Sequence, residues 1–450
     1  MSCISNINAI RIMENTLNMV DPRLIDHGRR VAYMVCKMLK CQKKYSDREI
    51  SDFCVLSLIH DIGAYKTEEI NRMLEFETSH IGGHSVYGYL FIKYFSPIPQ
   101  YADIILYHHA YCGQLSLLAP CFHDIVQMIH LADRMDILVK SGAKEHLIYT
   151  DFLKEKRSIQ FSPEIIDLLY AAEIDSSLSD EEKSADPDFR RYIYGAEIIE
   201  DMIQRFLKMT VLSVDFRSRH TVTHTISSTC IAAVLADMLN LFEEDKEKVY
   251  TAALLHDLGK TAIPLEILEG PGKLNPREMA AIKTHVNITD EIIRGHVDND
   301  IWNIVVRHHE KLNGSGYPGG LAAKDLNISQ RILTVSDIFS ALCEERSYKK
   351  AFPKEKVISI LSEMAADGLI DPDITAAAIR FYDHIKETVE KETRPVLCIY
   401  KKIVEEEREI LDSNELFTRP IAKDRSPEHQ GHWKMLPNKA SPEEAEARYS

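Results

Sequence analysis

The sequence predicts an all-α protein of two tandem helical domains, followed by a C-terminal helix and a disordered tail. Two observations carry this expectation. Apolar residues recur with helical spacing along most of the chain, and no run alternates apolar and polar residues as a half-buried strand would. An ordered set of histidines and aspartates also occurs twice: His27, His60-Asp61, His84, His108-His109 and Asp133, then His224, His256-Asp257, His285, His308-His309 and Asp337. Each member of the second set follows its counterpart by about 200 residues, the mark of a duplicated unit.

The elements follow in order. After His27, residues Val31, Met34, Val35, Met38 and Leu39 form one helical stripe; after His224, Ile226, Cys230, Ile231, Val234, Leu235, Met238 and Leu239 do the same. The first domain is placed at 8–174 and closes on Phe161-Ser162-Pro163-Glu164-Ile165, which echoes Ile370-Asp371-Pro372-Asp373-Ile374 near the end of the second. The polar, acidic stretch 175–189 is expected to be a linker. The second domain is placed at 190–390. Its opening helix, 190–219, spaces Ile193, Ala196, Ile199, Met202, Ile203 and Phe206 for burial, and is expected to pack the first domain against the second. A C-terminal helix is assigned to 391–411, with its regular part from Val396 to Leu411. The polar residues 412–450, carrying Pro420, Pro427, Pro437 and Pro442, are expected to be disordered.

Composition narrows the function. With 45% hydrophobic and 27% charged residues in 450, the chain is long enough for two globular domains. A net charge of −15 argues against a nucleic-acid polymer as partner but leaves room for a small nucleotide, because bound metals reverse the local charge. No apolar run is long enough to span a membrane, and Met1 to Val20 lacks a signal core. The nine cysteines form no Cys-x-x-Cys pair and sit largely in apolar runs, as reduced buried thiols do. A cytoplasmic location is the expectation, with a homodimer as one candidate assembly.

Imidazole and carboxylate in one ordered set are the ligands of hydrolytic metals. Asp257 can bridge two ions through its two oxygens, His256 can reach one of them, and His308-His309 offers one imidazole to each. His224, His285 and Asp337 complete two coordination shells, and two such ions can clamp a phosphate and activate a shared water. Nitrogen and oxygen donors without thiolate favour iron or manganese, or zinc-like ions.

From His224 onward the chain resembles the HD-GYP family of cyclic di-GMP phosphodiesterases, a branch of the HD-domain metal phosphohydrolases. The resemblance lies in ALLHDLGKTAIPLEIL, PGKLNPREMAAIKTH, VVRHHEKLNGSGYPGG, RILTVSDIFSAL and ERSYKKA. It implies an all-helical fold, two or three divalent ions, and hydrolysis of cyclic di-GMP to a linear dinucleotide or GMP. Carried over residue by residue, it implies His224, His256, Asp257, His285, His308, His309 and Asp337 as ligands and Lys260 at the scissile phosphate or its leaving group. It also implies Tyr317 in the loop shaping the guanine site, and Arg346 and Lys349 on the distal phosphate. Two departures stand out: Asn313 where the family usually has Asp, and His220 where several relatives have a glutamate that is a candidate third-metal ligand. Another nucleotide or cyclic dinucleotide as substrate, and a non-catalytic cyclic di-GMP sensor, are the alternatives.

The first repeat keeps His27, His60, Asp61, His84, His108, His109 and Asp133, a candidate second metal site, but resembles only the broader HD superfamily. After His108-His109 it reads Ala110-Tyr111-Cys112-Gly113 without Gly-Tyr-Pro; Gln127 replaces Arg331, and Ala64 or Tyr65, with Lys66 close by, stands where Lys260 does. Hydrolysis of a different phosphate ester, metal- or nucleotide-dependent regulation of the second repeat, and a purely structural role all fit those residues.

Overall fold

The computed structural model describes residues 4–20, 26–65, 83–140, 146–174, 179–195, 200–217, 221–270, 272, 274–344 and 351–413. The tail from 414 onward lies outside them. The described residues are helical without strands, apart from isolated bridges between Arg157 and Phe161 and between Asn313 and Ala322. The first unit comprises α1 (Asn6–Asn18), α2 (His27–Gln42), α3 (Asp47–Leu58), α4 (Gly83–Phe95), α5 (Ala102–Leu106), α6 (His123–Lys140), α7 (His146–Lys156) and α8 (Pro163–Ala171). After α9 (Asp180–Ala185) and α10 (Pro187–Tyr194), the second comprises, besides the single α-helical turn Leu265–Leu268, α11 (Glu200–Asp215), α12 (His224–Met238), α13 (Glu243–Leu255), α14 (Pro276–Ile293), α15 (Asn299–Val306), α16 (Ile328–Cys343), α17 (Lys354–Ala366), α18 (Pro372–Arg380) and α19 (Tyr382–Ser413).

Helix starts follow local chemistry. Ser46 with Glu49 opens α3 and Asn275 with Glu278 opens α14 as capping boxes, each closing two otherwise orphaned N–H groups. The two echoing motifs are the same device. Ser162 and Asp371 cap α8 and α18, each followed by a proline whose missing N–H costs nothing in the first turn.

Three expectations change in detail. The 175–189 stretch is not a free linker in its described part: α9 and α10 dock on the first unit. Lys37 pairs with Asp186 at 2.5 Å, Arg30 with Asp180 at 3.0 Å, Lys40 pairs with Asp188, and the Ser51 hydroxyl donates to the Tyr192 carbonyl at 2.6 Å. The 190–219 stretch is not one continuous helix, because α10 ends at Tyr194 and Gly195 after it is extended; the described part of α11 runs from Glu200. Of its six spaced apolar residues, Ile193 and Phe206 are buried, and Ala196 and Ile199 lie outside the described residues. The C-terminal helix starts earlier than 391 and runs through Pro395, because Ile385 and Val389 before the proline and Val396 and Ile403 after it are all buried on the same support.

The two units exchange their leading helices. α1, tied to α2 by the Glu14–Arg29 pair at 3.0 Å, also packs on α14 and on the 3-10 turn Leu258–Ala262 of the second unit, where the Asn15 amide donates to the Ile292 carbonyl at 3.0 Å. α11 packs on α4 and on the 3-10 turn Ile62–Tyr65 of the first, and α1 and α11 pack against each other. From Phe206 to Phe216 α11 is buried apart from Lys208, as a helix enclosed on all sides must be. Phe216, at its end, packs edge-on against Phe91 of α4 and Tyr400 of α19. α19 straps the units together from outside, with Glu406 accepting from Lys93 at 2.7 Å and from Tyr94.

In each unit the glycine of the turn after the His-Asp pair is required by close approach. A Cβ on Gly259 would stand 2.0 Å from the His285 carbonyl oxygen, and one on Gly63 would stand 1.9 Å from that of His84. The backbone of α14 or α4 cannot yield as a side chain tip would. Gly259→Ala and Gly63→Ala are each expected to cost about 1–3 kcal/mol, the overpacking range, read as a lower Tm in thermal unfolding. Wild-type Tm in both variants would show that the turns relax freely.

Candidate metal centre

The second set of predicted residues converges in space. His224 opens α12, His256 and Asp257 follow the last turn of α13, and His285 lies in mid-α14. His308 and His309 follow α15, and Asp337 lies within α16. Helix ends therefore deliver most of the set. The rings are held in one tautomer by the chain itself. Nδ1–H of His256 donates to the Ala253 carbonyl at 2.8 Å, that of His285 to Ile282 at 2.6 Å, and that of His308 to Val305 at 2.6 Å. Each Nε2 lone pair is left facing the centre, as in metal-ligating histidines.

Asp257 lies in the middle. Its Oδ2 is 3.3 Å from His224 Nε2 and 3.2 Å from His256 Nε2, while Oδ1 faces His285 Nε2 at 3.5 Å. Asp337 spans the same gap, with Oδ1 3.1 Å from His224 Nε2 and Oδ2 3.6 Å from His309 Nδ1. The donor atoms of His224, His256 and Asp257 form one compact group, and those of His285, His308 and His309 another, each within 4.8 Å. His256 Nε2 is buried with no hydrogen-bond partner among the described residues. An orphan of this kind costs about 1–3 kcal/mol unless something fills its lone pair, and a divalent cation fits that donor set.

Electrostatics agree. Burial opposes the charge on Asp257, but His256, Lys260 and His224 outweigh it and hold the carboxyl well below the usual range. Asp337 is held down by His224 and His309 in the same way against its own burial. Burial pushes His309 down to about 3 and His308 well below the ordinary imidazole range. Burial also lowers His285, so His285, His308 and His309 form a neutral imidazole group facing the two anions. His224 and His256 are the exceptions: Glu344, accepting from His224 Nδ1 at 3.0 Å, leads the neighbours that raise His224 against burial, and Asp257 leads those that raise His256.

Lys260 Nζ lies 2.5 Å from Asp257 Oδ2, so the 3-10 turn brings the predicted lysine to the centre. Tyr317 covers His309 with ring centroids 4.7 Å apart, placing the Gly-Tyr-Pro loop over the site. Asn313 closes its turn as an Asp would, accepting from Ser315 N at 3.0 Å and Oγ at 2.7 Å. Arg346, Lys349 and His220 lie outside the described residues.

Several supporting residues escaped the sequence reading. Glu310 is buried and accepts from the backbone N–H of Gly319 at 2.6 Å and of Leu321 at 2.9 Å, anchoring the loop. Ser340 and Glu344 stand one and two turns beyond Asp337, a spacing that places them on its face of α16 and was the available signal.

The first set converges as well. Asp61 Oδ2 is 3.6 Å from His27 Nε2 and 3.4 Å from His60 Nε2, and Oδ1 is 3.8 Å from His108 Nε2 and 4.0 Å from His84 Nε2. Asp133 faces His27 and His109. Ala64 is the counterpart of Lys260: its N–H donates to the Asp61 carbonyl at 2.8 Å as that of Lys260 donates to Asp257 at 2.9 Å. Gln127 does the structural work of Arg331 without charge. Its amide oxygen accepts from Ser162 N, where Arg331 reaches Asp371. Lys66 lies outside the described residues.

Residues 196–374 match the HD domain family model. The chain is 28% identical over 383 residues to the 3'3'-cGAMP-specific phosphodiesterase 1 of Vibrio cholerae, a match covering 79% of this chain and 87% of that protein. It is 32% identical over 194 residues to the cyclic di-GMP phosphodiesterase response regulator RpfG of Xanthomonas campestris, covering 42% of this chain and 51% of that protein. A solved cyclic GMP-AMP phosphodiesterase from V. cholerae aligns over 85% of this chain and 97% of its own, at 18% identity and a TM-score of 0.49. Residues 196–374, with their ordered His/Asp set and Gly316-Tyr317-Pro318 loop, thus form an HD domain similar to those of cyclic-dinucleotide phosphodiesterases.

Proposed function

We propose that the second unit is a metal-dependent phosphodiesterase that opens a cyclic dinucleotide by hydrolysis. The observation that carries this reading is Asp257, whose two oxygens face two different histidine groups, the posture of a carboxylate shared between two cations. His224, His256, His285, His308, His309 and Asp337 would hold those ions with it. The all-nitrogen-and-oxygen donor set favours iron or manganese. When bound, such ions supply activation of water at neutral pH and charge neutralisation at a phosphate.

The chain's own residues supply the rest. Lys260, beside Asp257, is the ammonium positioned to meet the phosphate charge or the departing oxygen. Tyr317 offers an aromatic face beside His309, with the Lys283 ammonium 4.9 Å from its ring centroid. A base can stack there and an anionic substrate meets positive charge. Arg346 and Lys349, assigned by the family resemblance, would take the distal phosphate. A pure sensor has no use for this donor set and lysine together. The relatives' names give two substrates, cyclic di-GMP and 3'3'-cGAMP. The second gains weight because the relative that carries it is matched over 87% of its length, against 51% for the regulator RpfG.

Anaerobic turnover of both dinucleotides, with ferrous iron or manganese, tests the reading. The paired replacement His256→Ala/Asp257→Ala is expected to lower kcat/KM by about a thousandfold or more. Absence of turnover on either dinucleotide by metal-loaded wild type would overturn the proposal, and competition between the two substrates ranks them. Lys260→Ala is expected to lower kcat by about 10²-fold with bound metal unchanged; an unaltered kcat would remove the lysine from the chemical step. Glu310→Ala frees the loop that carries Tyr317, so KM should rise about tenfold while kcat falls less. A pure kcat effect would place Glu310 in the chemistry instead.

A further inference from the structure

A lysine is a point charge on a flexible stem, so Lys260 can serve a phosphate only if its backbone is held in place. The holder is Arg217, which lies two residues beyond α11 and is buried. Its Nη1 donates to the Lys260 carbonyl at 2.8 Å and also to the Thr261 carbonyl. The 3-10 turn Leu258–Ala262 is thus clasped at the lysine and at the residue after it.

Arg217 is in turn held from the first unit. The Tyr87 hydroxyl, one turn along α4 from His84, donates to the Phe216 carbonyl at 3.3 Å, in the peptide group that leads into Arg217. The Phe216 ring meets Phe91 and Phe95 of the same helix edge-on. One residue therefore has its backbone fixed by one unit and its guanidinium fixed on the turn of the other.

The first unit supplies an internal contrast. Val20 is the counterpart of Arg217: after the leading helix of each unit, the N–H of Val20 donates to the Leu17 carbonyl at 3.0 Å, and that of Arg217 to Val214 at 3.2 Å. Ala64 is the counterpart of Lys260. The two cations occur together in the second unit, and both positions are apolar in the first, where Val20 and Ala64 line one cavity that reaches Asp61. Both turns make the same backbone bond to their aspartate and the same glycine contact. A clasp needed only to build the turn would be needed in both units; it is found where there is a lysine to place.

We propose that Arg217 is a positioning residue for Lys260, and that Tyr87 of the first unit sets the place of Arg217. The inference rests on Lys260 acting at the substrate phosphate, as proposed above.

Turnover of both dinucleotides by the metal-loaded full chain is compared for Arg217→Met, Arg217→Lys and Tyr87→Phe, each alone and combined with Lys260→Ala. Arg217→Met is expected to lower kcat about tenfold, with KM and bound metal unchanged. Arg217→Lys should recover most of that loss, because both bonds come from one nitrogen and an ammonium can donate both. Tyr87→Phe should lower kcat about two- to threefold. With Lys260→Ala already present, none of these changes should lower kcat further, since no ammonium is left to place. An undiminished further loss in that background would overturn the proposal, as would wild-type kcat in Arg217→Met. Wild-type kcat in Tyr87→Phe would overturn the part assigned to the first unit. A second readout does not depend on turnover. Acylation of Lys260 by an amine-reactive ester, followed by mass spectrometry, should be severalfold faster in Arg217→Met than in wild type, and faster in Tyr87→Phe by a smaller factor. If wild type opens neither dinucleotide, the phosphodiesterase reading fails and labelling alone decides: an unchanged rate in Arg217→Met would overturn the positioning. If Arg217→Met does not fold, Tyr87→Phe decides by the same two readouts.

Discussion

A carboxylate buried between two groups of imidazoles is the constraint on which each unit is built. Asp257 is buried and Asp61 is largely shielded, so most of their charge must be met from the protein side by groups at fixed positions. Three helix ends and two helix interiors meet that demand, pointing side chains from five directions into one small volume. Backbone carbonyls then lock the rings, and a glycine at the start of each following turn lets it press against the neighbouring helix. Substituting any one of these elements disturbs the position of the others. The apolar core is arranged around a polar centre rather than the reverse.

Much of this was legible in the sequence, for a chemical reason. Histidine and aspartate in a repeated order are rare enough to stand out, and helical spacing between them fixes the faces they share. The convergence of the His/Asp sets and the all-helical fold could therefore be read directly, and the loop of Tyr317 was singled out by the family resemblance. What could not be read depends on contacts distant in the chain. The polar stretch with Asp180, Asp186 and Asp188 has the composition of a linker, and its docking on Arg30, Lys37 and Lys40 shows only when both strands of charge are placed together. Pro395 ordinarily begins a helix, but buried neighbours on both sides carry α19 through it. Glu310 reads as one more charged residue after His309 until its two backbone N–H partners are seen.

The two centres share donors and differ in the placement of positive charge. Lys260 puts it on the central carboxylate, Asp257; Arg134 puts it on the outer one, buried and tied to Asp133. Gln127 for Arg331 and Ala64 for Lys260 remove charge from the first unit without disturbing the frame that positions the histidines. The duplicated set has thus been conserved in shape between the halves while its electrostatic surroundings have diverged.

The exchanged leading helices give that divergence a limit. α11 rests on the turn that follows His60-Asp61 and also on the turn that follows His256-Asp257, while α1 crosses in the opposite sense. The halves are consequently not interchangeable modules. A cut between them would strip from each a helix that the other contributes, and an insertion that lengthened α11 would shear both turns at once. Mutational drift in the first half is therefore filtered by its mechanical effect on the second, whatever chemistry the first half performs.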